Sequence, residues 1–209
     1  SFTDACRELG ITLPGKGSEG GGRRYQPPPT LPTAPTWQPT TYPEPDAQWR
    51  EKAGNFLRDC QERLMNDAKA LAWLAVRGIP AEAAEAYRLG FNLSSKGKDR
   101  YRPRQAWGLP EKLQDGKPKM LWLPSGWVTP SFNRHGDLVQ LRIRRRDEDV
   151  AAFCGNIRHL PVDGSSMATM VLHPKAEVFA VVESGLDAVL LAWTMGGKVG
   201  AMTTWNSSA

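Results

Sequence analysis

Residues 14–45 set the first limit on this chain, because they cannot join a packed core. Nine of the 17 prolines fall there, and the glycine-rich run GKGSEGGGRR occupies 15–24. Proline removes a backbone donor and fixes φ, and glycine is entropically costly to order. No periodic apolar face survives between them. The tract reads as a linker, flexible in its glycine part and extended in its proline part. Before it lies a short segment at 1–13. There Phe2, Ala5, Cys6 and Leu9 share one face of a helix over 1–9, and Gly10 ends it. The core must therefore come from residue 46 onward.

From there the apolar period is first helical. Trp49, Ala53, Phe56, Leu57, Cys60, Leu64, Ala68, Leu71 and Leu74 recur at steps of three and four, predicting one helix over 46–77 that Gly78 stops. Pro80 suits the first turn of a second helix, ended by Gly90. After Phe91 the period shortens. KMLWLP, GWVTPSF, DLVQLRIR and EVFAVVES have strand composition, and AAFCGNI is strand-like. NRHGD at 133–137 is a turn signal, so 126–145 reads as a hairpin. Arg142 and Arg144 alternate with Leu141 and Ile143 and so share one face. Residues 160–174 read as irregular. Residues 177–183 form an almost continuous apolar strand, as in a parallel sheet covered on both faces. A helix over 186–195 and a strand over 198–202 follow, the start of a β-α-β unit. The fold class is α+β: a helical N-terminal segment, a mixed sheet region with a basic hairpin, and the beginning of an α/β domain. The expected domains are 1–13, the linker 14–45, a core part at 46–175 and an incomplete unit at 176–209.

Charge is unevenly placed. Lys+Arg number 27 against 22 Asp+Glu, a net +5. Between 94 and 146 there are thirteen Lys/Arg and four acids, which is +9 and leaves −4 for the rest. One third of the chain thus holds a positive field of the kind that binds polyanions. The 3 Cys are too far apart for a zinc site or a disulfide framework, pointing to a reducing cytoplasm. No run of 18 apolar residues exists, so no transmembrane helix is expected. His135, His159 and His173 lack metal-ligand spacing.

The sharpest chemical signal is FAVVESGLDAVLLA. A buried strand would deliver Glu183 at its C-terminal end, where open α/β sheets bind ligands. Ser184 and Gly185 would make the turn, and Asp187 would complement the next helix dipole. This segment resembles the E-G-x-x-D-A pattern of the TOPRIM fold in bacterial-type DNA primases, including those of phages and mobile elements. RGIPAEAAEAYRLGF is similar to the helical segment preceding the primase core, and GWVTPSFNRHGDLVQLRIRR to its hairpin. SFTDACRELGI resembles the helix after the family's zinc-binding domain. The order of these segments is the stronger part of the likeness. Ser184 stands where the family usually has Gly, and no Asp follows Asp187 although the family has a later Asp-x-Asp pair.

The resemblance implies template-directed synthesis of RNA primers on single-stranded DNA from nucleoside triphosphates, by metal-dependent nucleotidyl transfer. The resemblance also implies a replicative helicase as a partner. Glu183 would be the catalytic carboxylate and a ligand of Mg²⁺ or Mn²⁺. Arg142, Arg144, Arg145, Arg146 and Arg158 would face phosphates. Arg100, Arg102 and Arg104 would do so beside Tyr101 and Trp107, which could stack bases, whereas Trp122 is assigned to the core. The sequence reads as a fragment, lacking an initiator Met and a zinc module, and as catalytically incomplete without the later acidic pair. Two alternatives stand beside this: another TOPRIM nuclease or topoisomerase, and a non-catalytic single-stranded DNA-binding or replisome-docking module.

Overall fold

The computed structural model describes residues 40–93, 100–152 and 157–204. The helix expected over 1–9, the linker up to residue 39, Cys6 and Cys154 lie outside the described residues.

Helix α1 (Ala47–Met65) begins where Asp46 accepts the Trp49 amide at 2.7 Å. Its stripe of Trp49, Ala53, Phe56, Leu57, Cys60 and Leu64 is buried. Burial pushes the Cys60 thiol up to about 12, so it is a core group rather than a nucleophile. The single helix expected over 46–77 is broken at Asn66 and Asp67. The Asn66 amide donates back to the Glu62 carbonyl at 2.8 Å, and Asp67 caps α2 (Ala68–Ala75) by accepting from the Lys69 and Ala70 amides. Such short polar side chains compete with the helix ladder for backbone groups. α3 (Ala81–Ala86) is shorter than expected. Arg88, at φ 56, takes the left-handed reversal instead of Gly90. Gly90 opens β1 (Gly90–Asn92), where a Cβ would stand 2.6 Å from that of Cys60.

The main sheet has the order β1-β6-β7-β8, antiparallel throughout, with β6 (Gly126–Phe132), β7 (Leu138–Arg145) and β8 (His159–Pro161). The expected hairpin is present, closed by the Asn133 amide donating to the Asp137 carbonyl at 2.9 Å. One face of the sheet meets α1 through Val128, Leu141 and Ile143. The other meets α2, α3 and α5 (Gly185–Thr194) through Phe91, Trp127, Leu74 and Leu186. Two short ribbons flank it: β2 (Arg100–Arg102) with β5 (Leu121–Leu123), and β3 (Leu113–Gln114) with β4 (Lys117–Pro118). Residues 151 and 152 end a helix, α4 (Asp147–Ala152), instead of starting a strand. Its acidic DED opening suits a helix N-terminus.

The second sheet has the order β10-β11-β9, with β9 at Val171–Leu172, inside the stretch read as irregular. β10 (Val178–Val182) runs parallel to β11 (Val199–Thr203), as a β-α-β unit requires. The expectation that this strand is covered on both faces fails. Val178 is 62% exposed and Val181 66%, because β10 is an edge strand and α5 packs mainly over β11. Among the described residues no helix is long and apolar enough to cross a membrane.

Candidate anion-binding cleft

Glu183 follows the last residue of β10, and Ser184 caps α5. The Ser184 hydroxyl accepts the Asp187 amide at 3.2 Å and donates to the Asp187 carboxylate at 2.7 Å. Serine at this turn therefore acts as a helix cap and also commits one oxygen of Asp187. Glu183 and Asp187 line a cleft of about 250 Å³ whose other charged walls are Arg77, Arg142 and Arg144, with His159 beside them.

β7 supplies two of these guanidiniums by strand alternation. Arg142 lies opposite Thr129 and is 7% exposed; burial pushes it down to about 10, so it stays charged at neutral pH. Burial also lowers Arg144, and Asp147, at 3.4 Å, works against that shift. The Arg144 guanidinium sits 4.5 Å from the Trp73 ring centroid. Gly126, paired with Arg145, allows β6 to pass this close: a Cβ there would meet the Arg144 carbonyl oxygen at 2.1 Å. Arg77 enters from the turn after α2. His159 opens β8 opposite Arg144. Burial lowers its pKa first, then Arg144, Arg158 and Arg142, while Asp187 opposes them. The three guanidiniums around it thus disfavour a further positive charge on the ring.

The other residues singled out in the sequence divide sharply. Arg158 is exposed, 3.6 Å from Asp147, and flanks the cleft next to His159. Arg146 is held by Glu148 at 2.9 Å and Asp149 at 2.6 Å. Arg145 and Arg104 are corrected to structural groups. Arg145, 2% exposed on the opposite face of β7, donates to the carbonyls of Ile157 and Asp149. Arg104, 6% exposed, pairs with Asp163 and donates to the Pro110 carbonyl. Trp107 cannot stack a base, because it is buried edge-on against Trp49 and Phe56. Trp122, assigned to the core, is only half-buried, with the Arg145 guanidinium 5.2 Å over its ring.

Tyr101 does stand exposed, opposite Trp122 across β2 and β5. The two share an open hollow of about 670 Å³ with Lys117 and Lys119. Arg102 is exposed beside them, and Arg100 turns inward over Phe56 toward Asp59. Sequence reasoning missed Arg77 and His159. Arg77 looks like any helix-ending cation, and His159 was judged only as a metal ligand.

Among the described residues no three His, Cys, Asp or Glu side chains converge. The cleft holds two carboxylates against three guanidiniums. That donor set suits an anion and does not fit a tight Mg²⁺ site.

Comparison with solved structures identifies the architecture. The RNA polymerase domain of Mycobacterium tuberculosis primase DnaG superposes with a TM-score of 0.54 at 15% identity, over 78% of this chain and 57% of that one. The Aquifex aeolicus primase, with its zinc-binding and RNA polymerase domains, gives 0.50 at 16%, over 74% and 41%. A DnaG catalytic domain bound to single-stranded DNA gives 0.50 at 15%, over 74% and 55%. The fold is primase-type. This chain spans about half the length of these structures or less. No family model and no curated protein matches the sequence.

Proposed function

We propose that this chain forms part of a DNA primase, a nucleotidyltransferase that builds RNA primers on a single-stranded DNA template. The observation that carries the reading is Glu183, at the end of β10, in one cleft with Arg77, Arg142 and Arg144. The likeness to primase polymerase domains, one of them bound to single-stranded DNA, supports it. On this reading residues 46–175 belong to the N-terminal part of the polymerase core and 176–209 begin its TOPRIM unit.

In the proposed reaction a 3′-hydroxyl attacks the α-phosphate of a nucleoside triphosphate and pyrophosphate leaves. The transition state spreads negative charge over phosphate oxygens. Three guanidiniums in a partly desolvated cleft stabilise that charge and orient the triphosphate. Glu183 is the group assigned to receive the hydroxyl proton. Tyr101 and Trp122, with Lys117 and Lys119, would carry the template strand. Mg²⁺ or Mn²⁺ dependence requires acidic ligands beyond Glu183 and Asp187. Nucleoside triphosphates, a helicase partner and a phage or mobile-element parent belong to the same reading.

The lack of a third cleft carboxylate among the described residues favours one second reading: DNA binding without catalysis. Primer synthesis by the full-length protein containing this sequence separates the two. Glu183→Gln is expected to abolish synthesis and leave single-stranded DNA affinity intact. Full activity in that variant overturns the catalytic assignment. Tight binding by a wild-type protein that makes no primers establishes the second reading.

A further inference from the structure

Two guanidiniums of the cleft rest on one indole. The Arg77 Cζ lies 3.3 Å from the Trp73 ring centroid, and its Nη1 donates to the Trp73 carbonyl at 3.4 Å. The Arg144 Cζ lies 4.5 Å from the same ring. Trp127 stacks on Trp73 at 3.7 Å, with 20° between planes, and Phe91 packs on Trp127 at 5.2 Å. The Trp127 indole donates to the Ala70 carbonyl, which ties the stack back to α2. Arg77 has no carboxylate within ion-pair distance among the described residues.

We propose that Trp73 is a positioning residue for the cleft, holding Arg77 and Arg144 on one aromatic platform so that both meet the same phosphate chain. Two like charges facing one cleft repel, and two long side chains lose rotamer freedom when they converge. The electron-rich ring face offsets the repulsion and limits the arrangements of each planar head. Trp127 behind it keeps the platform from tilting. The inference rests on the reading of the cleft as an anion site and assigns what orients that site.

The test uses inorganic tripolyphosphate as probe, titrated calorimetrically, together with the NMR signals of the arginine Nε–H groups. In the wild type the Arg77 and Arg144 signals are expected upfield, shifted by the indole ring current. Trp73→Leu is expected to lose those shifts and weaken tripolyphosphate binding about tenfold, and Trp73→Phe to restore most of the affinity. Arg77→Lys keeps the charge but not the planar stack; a comparable weakening is expected, and it serves if Trp73→Leu does not fold. Wild-type affinity in folded Trp73→Leu or in Arg77→Lys overturns the positioning role and leaves the anion cleft standing. Failure of the wild type to bind tripolyphosphate overturns the cleft reading and this inference with it.

Discussion

β7 carries arginines on both of its faces, and the two faces use them differently. Arg142 and Arg144 point into the cleft beside Glu183. Arg145, the next residue, points the other way, donating to two carbonyls with its guanidinium over Trp122. Arg104 repeats the second pattern on the loop before the Gln105–Trp107 turn. Residue type and local charge density are the same in both cases. The difference lies in where each head ends: Arg144 donates to the Arg145 carbonyl and pairs with Asp147 yet still lines the cleft, whereas Arg145 and Arg104 spend their donors on internal acceptors away from it. A basic stretch therefore overstates its ligand-binding capacity by the number of cations whose partners are already built in.

Arg145 separates the two faces of β7 most directly. Arg145→Met is expected to lower stability by about 2 kcal/mol in urea titrations, because two part-buried carbonyls lose their donors. Arg142→Met should weaken single-stranded DNA binding, since it removes a guanidinium that lines the cleft. Equal behaviour of the two variants would erase the distinction between the faces. Next in size, Arg142→Gln with Arg144→Gln should flatten the dependence of log K on log salt by about 1.4, roughly 0.7 for each lost phosphate contact on a single strand. Adding Arg146→Gln should change that slope little, because Glu148 and Asp149 already hold Arg146.

Smaller effects sharpen the division among aromatics. Tyr101→Ala should weaken single-stranded DNA binding about fivefold, near 1 kcal/mol for one stacked base, whereas Trp107→Phe should leave affinity unchanged. The smallest effect concerns His159. The groups facing it are Arg142, Arg144, Arg158 and Asp187, and its pKa lies below the ordinary histidine value. A bound polyphosphate favours the imidazolium and raises that pKa, so affinity should rise as pH falls from 8 to 6, by about threefold. His159→Gln should flatten that rise. For folding the sign reverses. The unfolded chain binds the proton more readily, so the His159 contribution to stability is present above about pH 6.5 and is lost as pH falls toward the lower folded value.

Much of the fold was legible because it is written in local periodicity. The alternation of 126–132 and 138–145 about Asn133 to Asp137 predicts the hairpin, and the strand–turn–helix around Glu183 is as expected. The break at Asn66 and Asp67 was not read. An apolar stripe of helical period runs through it, and the two side chains that interrupt the ladder look like ordinary surface residues. The exposure of β10 was hidden for another reason: an apolar run reports what a strand tolerates, not which neighbours cover it. Trp73 and Arg77 lie four residues apart and touch locally, but Arg144 and His159, from β7 and β8, join them only through the fold, so the group was invisible in the sequence.

Sequence alone determined the change from helical to strand period after Phe91, the hairpin over 126–145, the position of Glu183 at a strand end and the parity that sends Arg142 and Arg144 to one face. All of these depend on neighbours a few residues apart, where backbone geometry imposes the spacing. Tertiary packing settled which arginines serve a cleft and which serve the fold. It also decided that Trp107 is core and that Trp73 carries two cations. Those outcomes depend on partners far along the chain, such as Asp163 for Arg104, and on burial that no local pattern encodes.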